Sequence, residues 1–170
     1  KMTKEIHTFM GQEKEYVAKI KFGATTPSYD LESDINQTFP TAHVTEQAIA
    51  EILPQFIGET KQLPPIFSAI KQGGVRLYKK ARAGEQVLVE PRDVYIREIE
   101  ILSFTEQELS IRVTCGKGTY IRSLAHDLGQ ALHSGAHLAG LRRTKIGSYS
   151  VEGTKDPIQW CEHFVNTIDA

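Results

Sequence analysis

The chain has 170 residues, 40% hydrophobic and 24% charged, which suits one globular domain with a sizeable core. A net charge of -1 excludes a generic polycation that coats nucleic acid, and no apolar run reaches the length of a membrane-spanning helix. The only cysteines, Cys115 and Cys161, lie far apart without C-x-x-C spacing, so neither a disulfide framework nor a zinc site is expected, and a reducing cytoplasm is the default compartment. Charge is sorted along the chain. Lys71, Arg76, Lys79, Lys80 and Arg82 fall together without an acid, and from Arg112 to Lys145 the only acid is Asp127. Such sorting offers a phosphate-facing surface or, equally, solvated basic faces.

In chain order, Glu15 to Phe22 alternates, with Tyr16, Ala18, Ile20 and Phe22 on one face, and predicts a half-buried strand ended by Gly23. Residues 24–40 read as a loop rich in Thr, Pro, Ser and Asp. Thr45 is placed to cap a helix whose apolar face is Ala48, Ile49, Ile52, Leu53 and Phe56, with Val44 and Ile49 as a staple and Pro54 as a break. Leu63 to Ala69 cannot be a central strand, because Pro64 and Pro65 remove ladder donors. Gly73-Gly74 then precedes an expected short basic helix from Val75 to Ala83, stopped by Gly84.

Val94 to Phe104 and Leu109 to Cys115 both alternate and predict a hairpin, with Cys115 in the core. Thr119 to His133 carries a helical stripe of Ile121, Leu124, Ala125, Leu128 and Leu132, stopped by Gly135. His137 to Val151 is expected to be extended, and Asp156-Pro157 to open a last helix. Without regular βαβ alternation, the fold class is α+β, a mainly antiparallel mixed sheet flanked by helices. Gly116 to Leu124 places Tyr120 and Arg122 at a strand-to-helix junction, where free backbone amides and the helix dipole favour an anion.

Four ordered segments resemble the bacterial tRNA pseudouridine synthase B (TruB) family. They are Lys14-Glu15-Tyr16 with Phe22 to Thr26 and Asp30; Gln62 to Lys71, similar to Q-x-P-P-x-[YF]-S-A-x-K; Arg76-Leu77-Tyr78 with Ala81-Arg82 and Gly84; and Lys117 to Arg122 with Asp127 to Gly129, Gly135 to Leu138 and Leu141 to Thr144. The resemblance implies the pseudouridine synthase fold, residues 1–170 as one catalytic domain with an RNA-gripping insertion at about 62–84, and no separate C-terminal RNA-binding domain. It implies isomerisation of a flipped T-loop uridine of tRNA, at position 55, to pseudouridine, with no metal or cofactor.

The family nucleophile is an aspartate in a G-x-x-D-P-x-A-T-G loop, which these residues do not contain. Thr3-Lys4 resembles the T-K that follows that loop, so the aspartate is expected upstream of Lys1. The start Lys1-Met2 suggests a fragment or processed product, inactive alone and monomeric, with a separate N-terminal fragment as one source of the aspartate. Asp156 is fully explained as a helix cap, and Asp30 matches a loop aspartate that is not the nucleophile. Ser33 stands where the family carries a glycine.

By resemblance, Tyr16 stacks on the flipped uracil, although its alternation alone reads as core. Arg122 pairs with the catalytic aspartate. With that partner missing, it is expected to be solvated, disordered or bound to an ion unless a second polypeptide supplies the aspartate, and pairing to an internal Asp or Glu in a closed core would count against the assignment. Tyr120 lines the pocket and Leu141 packs near the base, although the latter also reads as plain core. Lys4 matches a lysine near the active-site loop. Lys71, Arg76, Lys79, Lys80, Arg82, Lys117, Arg142 and Arg143 are the expected contacts to the tRNA T-arm. Apart from a structural domain with accidental motifs, which four ordered matches disfavour, two other readings stand beside this one. The first is a non-catalytic tRNA-binding or RNA-folding module using the same surface. The second is the related catalytic subunit of guide-RNA-directed synthases.

Overall fold

The computed structural model describes residues 2–68, 70–78, 89–156 and 158–161. A six-stranded antiparallel sheet organises them. Its members are β1 (Lys14–Phe22), β4 (Gly58–Gln62), β7 (Arg92–Thr105), β8 (Glu108–Cys115), β9 (Ala136–Ile146) and β10 (Tyr149–Ser150), in the order β10-β9-β1-β8-β7-β4. Two-stranded ribbons are added by β2 (Ala24–Thr25) with β3 (Gln37–Thr38), and by β5 (Lys71–Gln72) with β6 (Val75–Arg76). Among the described residues, helices include α1 (Ile6–Met10), α2 (Glu46–Ile52) and α3 (Ile121–Ala131). No helix among the described residues is long and apolar enough to cross a membrane.

Alternation decides which sheet face is buried. Ala18, Ile20 and Phe22 of β1, Leu109, Ile111, Val113 and Cys115 of β8, and Ala136 and Leu138 of β9 meet Ile121, Leu124, Ala125 and Leu128 of α3 in one core. α2 adds Ile49 to it, with Val44 and Leu53 from its flanks. β1 lies between β8 and β9, with Ala18 opposite both Ile111 and Leu141. Removing such side chains from water, at about 25 cal/mol per Å² of apolar surface, supplies most of the driving force.

The half-buried strand, the capped helix and the hairpin are where the sequence puts them. Thr45 Oγ1 accepts the Ala48 amide at 3.1 Å. Pro54 converts the end of α2 into a 3-10 turn, Leu53–Phe56. The hairpin turns through Glu106 and Gln107, both at positive φ, the two-residue geometry that matches strand twist.

Three expectations need correcting, the first being the loop over residues 24–40, which carries the ribbon strands β2 and β3. Val75 and Arg76 belong to strand β6, because Gly73 and Gly74, both at positive φ, close a tight hairpin with β5 rather than preceding a helix. Leu77 and Tyr78 do turn helical, while Lys79, Lys80 and Arg82 lie outside the described residues. α3 is shorter than the pattern suggests at both ends. Tyr120 is extended, and His133 takes the left-handed conformation before Gly135 is reached. The His133 amide then bonds to Gln130 O and the Ser134 amide to Gly129 O, a Schellman stop. β4 has no apolar alternation to announce it, since as an edge strand it buries only Gln62. At the far end, Asp156 Oδ1 caps the Gln159 amide at 2.8 Å and the Gln159 side chain returns the bond at 3.0 Å.

Candidate active site

Arg122 sits in the first turn of α3, just past the end of β8. Its guanidinium is not free. Nη1 donates to Asp30 Oδ2 at 2.8 Å and to Ser28 O at 3.4 Å, and Nη2 donates to Phe67 O at 3.0 Å. The expectation of an unpaired arginine is therefore overturned. The pair is half-buried rather than sealed, with side-chain exposures of 22% for Arg122 and 17% for Asp30. A guanidinium has five N–H groups, and these bonds leave some of them for a second acceptor.

The loop after β1 delivers Asp30 by its own chemistry. Tyr29 adopts φ 63, which turns the chain so that Asp30 faces α3. Thr26 Oγ1 donates to Asp30 O at 2.7 Å, and Asp30 Oδ1 accepts the Glu32 amide at 3.0 Å. Ser33 shows why a glycine is dispensable. Its hydroxyl lies 2.6 Å from Ser28 Oγ and accepts the Ser28 amide at 3.0 Å, closing the loop by side chain. The Tyr29 ring stacks on His126 of α3 with centroids 4.0 Å apart, and Tyr29 O accepts the Leu138 amide of β9 at 2.9 Å.

Electrostatics follow from this packing. Burial pushes the Asp30 carboxyl up, but the Ser28 hydroxyl, the Glu32 amide and the Arg122 charge outweigh it and hold the pKa below the ordinary value. The neighbouring Asp127 has no such compensation and is pushed up by burial to about 6. Burial also lowers the His126 imidazole, and it raises the Tyr29 phenol with help from Asp127.

Tyr16 lies near the start of β1, opposite Val113 near the end of β8, so topology puts it at the same end of the sheet as the junction that carries Tyr120 and Arg122. It is half-buried. Burial and then Cys115 raise its phenol pKa, while Arg143 opposes them. Leu141 is 49% exposed and is therefore not a core leucine. Arg143 pairs with Tyr16 and Arg142 with Val17. Successive strand residues face opposite ways, so the two arginines do not form one surface. Tyr120 and Lys117 line a cleft of about 590 Å³ with His7, Met10, Arg92 and Asp93, to which neither Tyr16 nor Arg122 contributes. Lys4 is exposed in the 3-10 turn Met2–Glu5. Lys71 and Arg76 are placed by backbone alone, on paired positions of the β5–β6 ribbon. Among the described residues, no cluster of His, Cys, Asp and Glu comes together that could hold a metal ion.

Sequence reasoning named Asp30 and Gln62 only as motif positions, and missed the Arg122–Asp30 pair, the Tyr29–His126 stack and the bonds of Gln62 to Tyr120. The Gln62 carboxamide accepts the Tyr120 amide at 2.8 Å and donates to Tyr120 O at 3.1 Å. The signal for Gln62 was its place at the head of the Q-x-P-P-x-[YF]-S-A-x-K stretch.

Comparison with known proteins finds relatives along most of the chain. The family model described as TruB family pseudouridylate synthase (N terminal domain) matches residues 1–121. The model for the tRNA pseudouridylate synthase B C-terminal domain matches 122–160. The tRNA pseudouridine synthase B of Flavobacterium johnsoniae is 56% identical over 92% of this chain and 68% of its own length. That of Bacteroides fragilis is 51% identical over 95% of this chain and 70% of its own length. A crystal structure of a Cbf5-Nop10-Gar1 complex superposes with a TM-score of 0.62 at 30% identity, covering 87% of this chain and 34% of that one. A structure of an H/ACA RNP bound to a substrate RNA containing 2'-deoxyuridine gives 0.57 at 26% identity, with 87% of this chain and 32% of that one covered. With both family models matching in sequence order and relatives above half identity along most of its length, the chain belongs to the TruB family of pseudouridylate synthases.

Proposed function

We propose that this chain is the core of a tRNA pseudouridine synthase that isomerises a flipped T-loop uridine, at position 55, using an aspartate encoded upstream of Lys1. The observation that carries the reading is the half-buried Arg122–Asp30 pair, oriented by three bonds and still able to accept another carboxylate. An arginine held in this way keeps a nucleophilic aspartate ionised and aimed. The closer relatives are tRNA pseudouridine synthases B at 51–56% identity, which favours a stand-alone tRNA enzyme over a guide-directed subunit.

The reaction is an isomerisation. The bond from N1 of uracil to the ribose breaks, the base turns, and C5 bonds to the same ribose carbon. The proton on C5 leaves and N1 regains one. The Tyr16 ring offers a face on which the unstacked base can rest, worth roughly 1–3 kcal/mol. The C5 proton leaves to water and N1 takes one from water, and the Tyr16 hydroxyl, kept neutral by burial, can hydrogen-bond the water that carries it. Leu141, exposed on the strand beside β1, supplies apolar contact to the base. Tyr120 and Lys117 border the neighbouring cleft, where the backbone of a flipped nucleotide can pass. The basic insertion from Lys71 to Arg82 and Arg143 take phosphates of the T-arm.

The test is incubation of a T-arm hairpin with the chain, and separately with the protein carrying its upstream sequence, followed by assay for pseudouridine. The expected result is binding by both and product from the longer protein alone. Product from the chain alone refutes the upstream nucleophile. Binding without product from either makes the protein an RNA-folding module.

A further inference from the structure

Gln62 is buried, with 5% exposure, yet both polar atoms of its carboxamide are committed to the main chain of a single residue far away in sequence. The amide of Tyr120 donates to it and the carbonyl of Tyr120 accepts from it, the two-point exchange that a neighbouring strand would provide. Tyr120 is the residue at which extended chain becomes α3, and its own side chain makes no capping bond. Its carbonyl also accepts the Leu124 amide at 3.1 Å, the first bond of the helix. The carboxamide therefore sets the point and direction from which α3 starts.

Two further bonds join the same pair of segments. Ser123 Oγ donates to Leu63 O at 2.7 Å, and Arg122 Nη2 donates to Phe67 O. Gln62 is itself anchored as the last residue of β4, opposite Arg92 of β7, and the following Pro65 is fully buried. A continuous run of bonded groups thus leads from the sheet edge through Gln62 and Tyr120 to the guanidinium. The β5–β6 ribbon begins a few residues after Phe67.

We propose that Gln62 is a positioning residue: by clamping the Tyr120 main chain at the root of the inserted element, it fixes the first turn of α3 and the reach of Arg122 toward Asp30 and the Phe67 carbonyl. This rests on the reading of Arg122 as the orienting group of the active site. Gln62 does not touch substrate. Its contribution is to catalytic geometry rather than to RNA grip.

The experiment uses the full-length protein and a T-arm hairpin, with Gln62→Ala, Gln62→Glu and Arg122→Ala compared under single-turnover conditions. Gln62→Ala leaves the Tyr120 amide without its acceptor and its carbonyl with the Leu124 amide alone, and the single-turnover rate constant should fall by about 10- to 100-fold, the range for a sub-ångström to ångström misplacement, with RNA affinity nearly unchanged. Gln62→Glu can accept the Tyr120 amide but, ionised, has nothing to donate and repels the carbonyl. A protonated carboxyl restores one donor and one acceptor. The ratio of Gln62→Glu to wild-type turnover should therefore climb as pH is lowered, while the ratio for Gln62→Ala stays flat.

Wild-type turnover in both variants overturns the proposal, as does a loss confined to RNA affinity or a flat pH ratio for Gln62→Glu. If Gln62→Ala does not fold, the pH-dependent recovery of Gln62→Glu carries the decision. Full turnover by Arg122→Ala would instead sink the underlying reading of the site, so the two failures are told apart.

Discussion

Replacing Asp30 with asparagine keeps the shape of the side chain and its acceptor for the Glu32 amide but removes the charge that faces Arg122. Fully exposed ion pairs contribute about 0–1 kcal/mol, and breaking a buried one costs about 3–5 kcal/mol. At 22% and 17% exposure this pair lies between, and its Ser28 and Phe67 carbonyl partners persist. A double-mutant cycle of Asp30→Asn with Arg122→Gln, read by urea unfolding of the chain, should give a coupling of about 1–2 kcal/mol at neutral pH. The pH dependence has a definite sign. Asp30 has a folded pKa below its ordinary value of 3.8, so the stabilisation is complete above that value and is lost as pH falls through the lower folded pKa. The coupling should shrink on acidification below about pH 4 and stay constant above it. A coupling below about 0.3 kcal/mol at neutral pH would mean that the charges are independent, and would remove Asp30 from any role in orienting Arg122.

Asp127 behaves oppositely. Burial raises its folded pKa to about 6 from 3.8, so the folded state holds the proton more tightly and stability falls as pH rises through that window. Asp127→Asn should raise the melting temperature at pH 8 and leave it little changed near pH 4, and an equal rise at both pH values would contradict the assignment. Gly129 lets α3 lie directly on the start of β9, where an added Cβ would collide with the Ala136 amide nitrogen and the Gly135 carbonyl carbon. Gly129→Ala gains about 1 kcal/mol of helix propensity but must displace backbone, so a net loss of about 1–3 kcal/mol in chemical denaturation is expected. If the basic segment around Lys79, Lys80 and Arg82 grips RNA as proposed, changing those three residues to alanine should make the log–log salt dependence of T-arm binding shallower by about 1 per residue that touches phosphate. An unchanged slope takes those residues out of the interface.

What the sequence by itself determined is whatever short-range periodicity and local chemistry decide. The alternation of β1 and β8 specifies which face is buried, and Thr45 and Asp156 specify helix starts, because a cap acts across three residues. Ordered motifs around Tyr16, Arg122 and Leu141 specify the family, because several short matches in a fixed order seldom arise by chance, and both family models match in that order. The tertiary structure alone decided the rest, and the reasons are long-range. Strand β4 is polar and pairs only because β7 offers an edge. β9 places Arg142 and Arg143 on opposite faces, since pairing with β1 imposes a period of two on adjacent basic residues. Arg122 finds Asp30 although the two are 92 positions apart in sequence, and Gln62 finds Tyr120 across 58. Those partnerships carry no periodic signature. They exist because folding brings a loop, an edge strand and a helix start to one end of the sheet, where each otherwise unsatisfied polar group must find a partner.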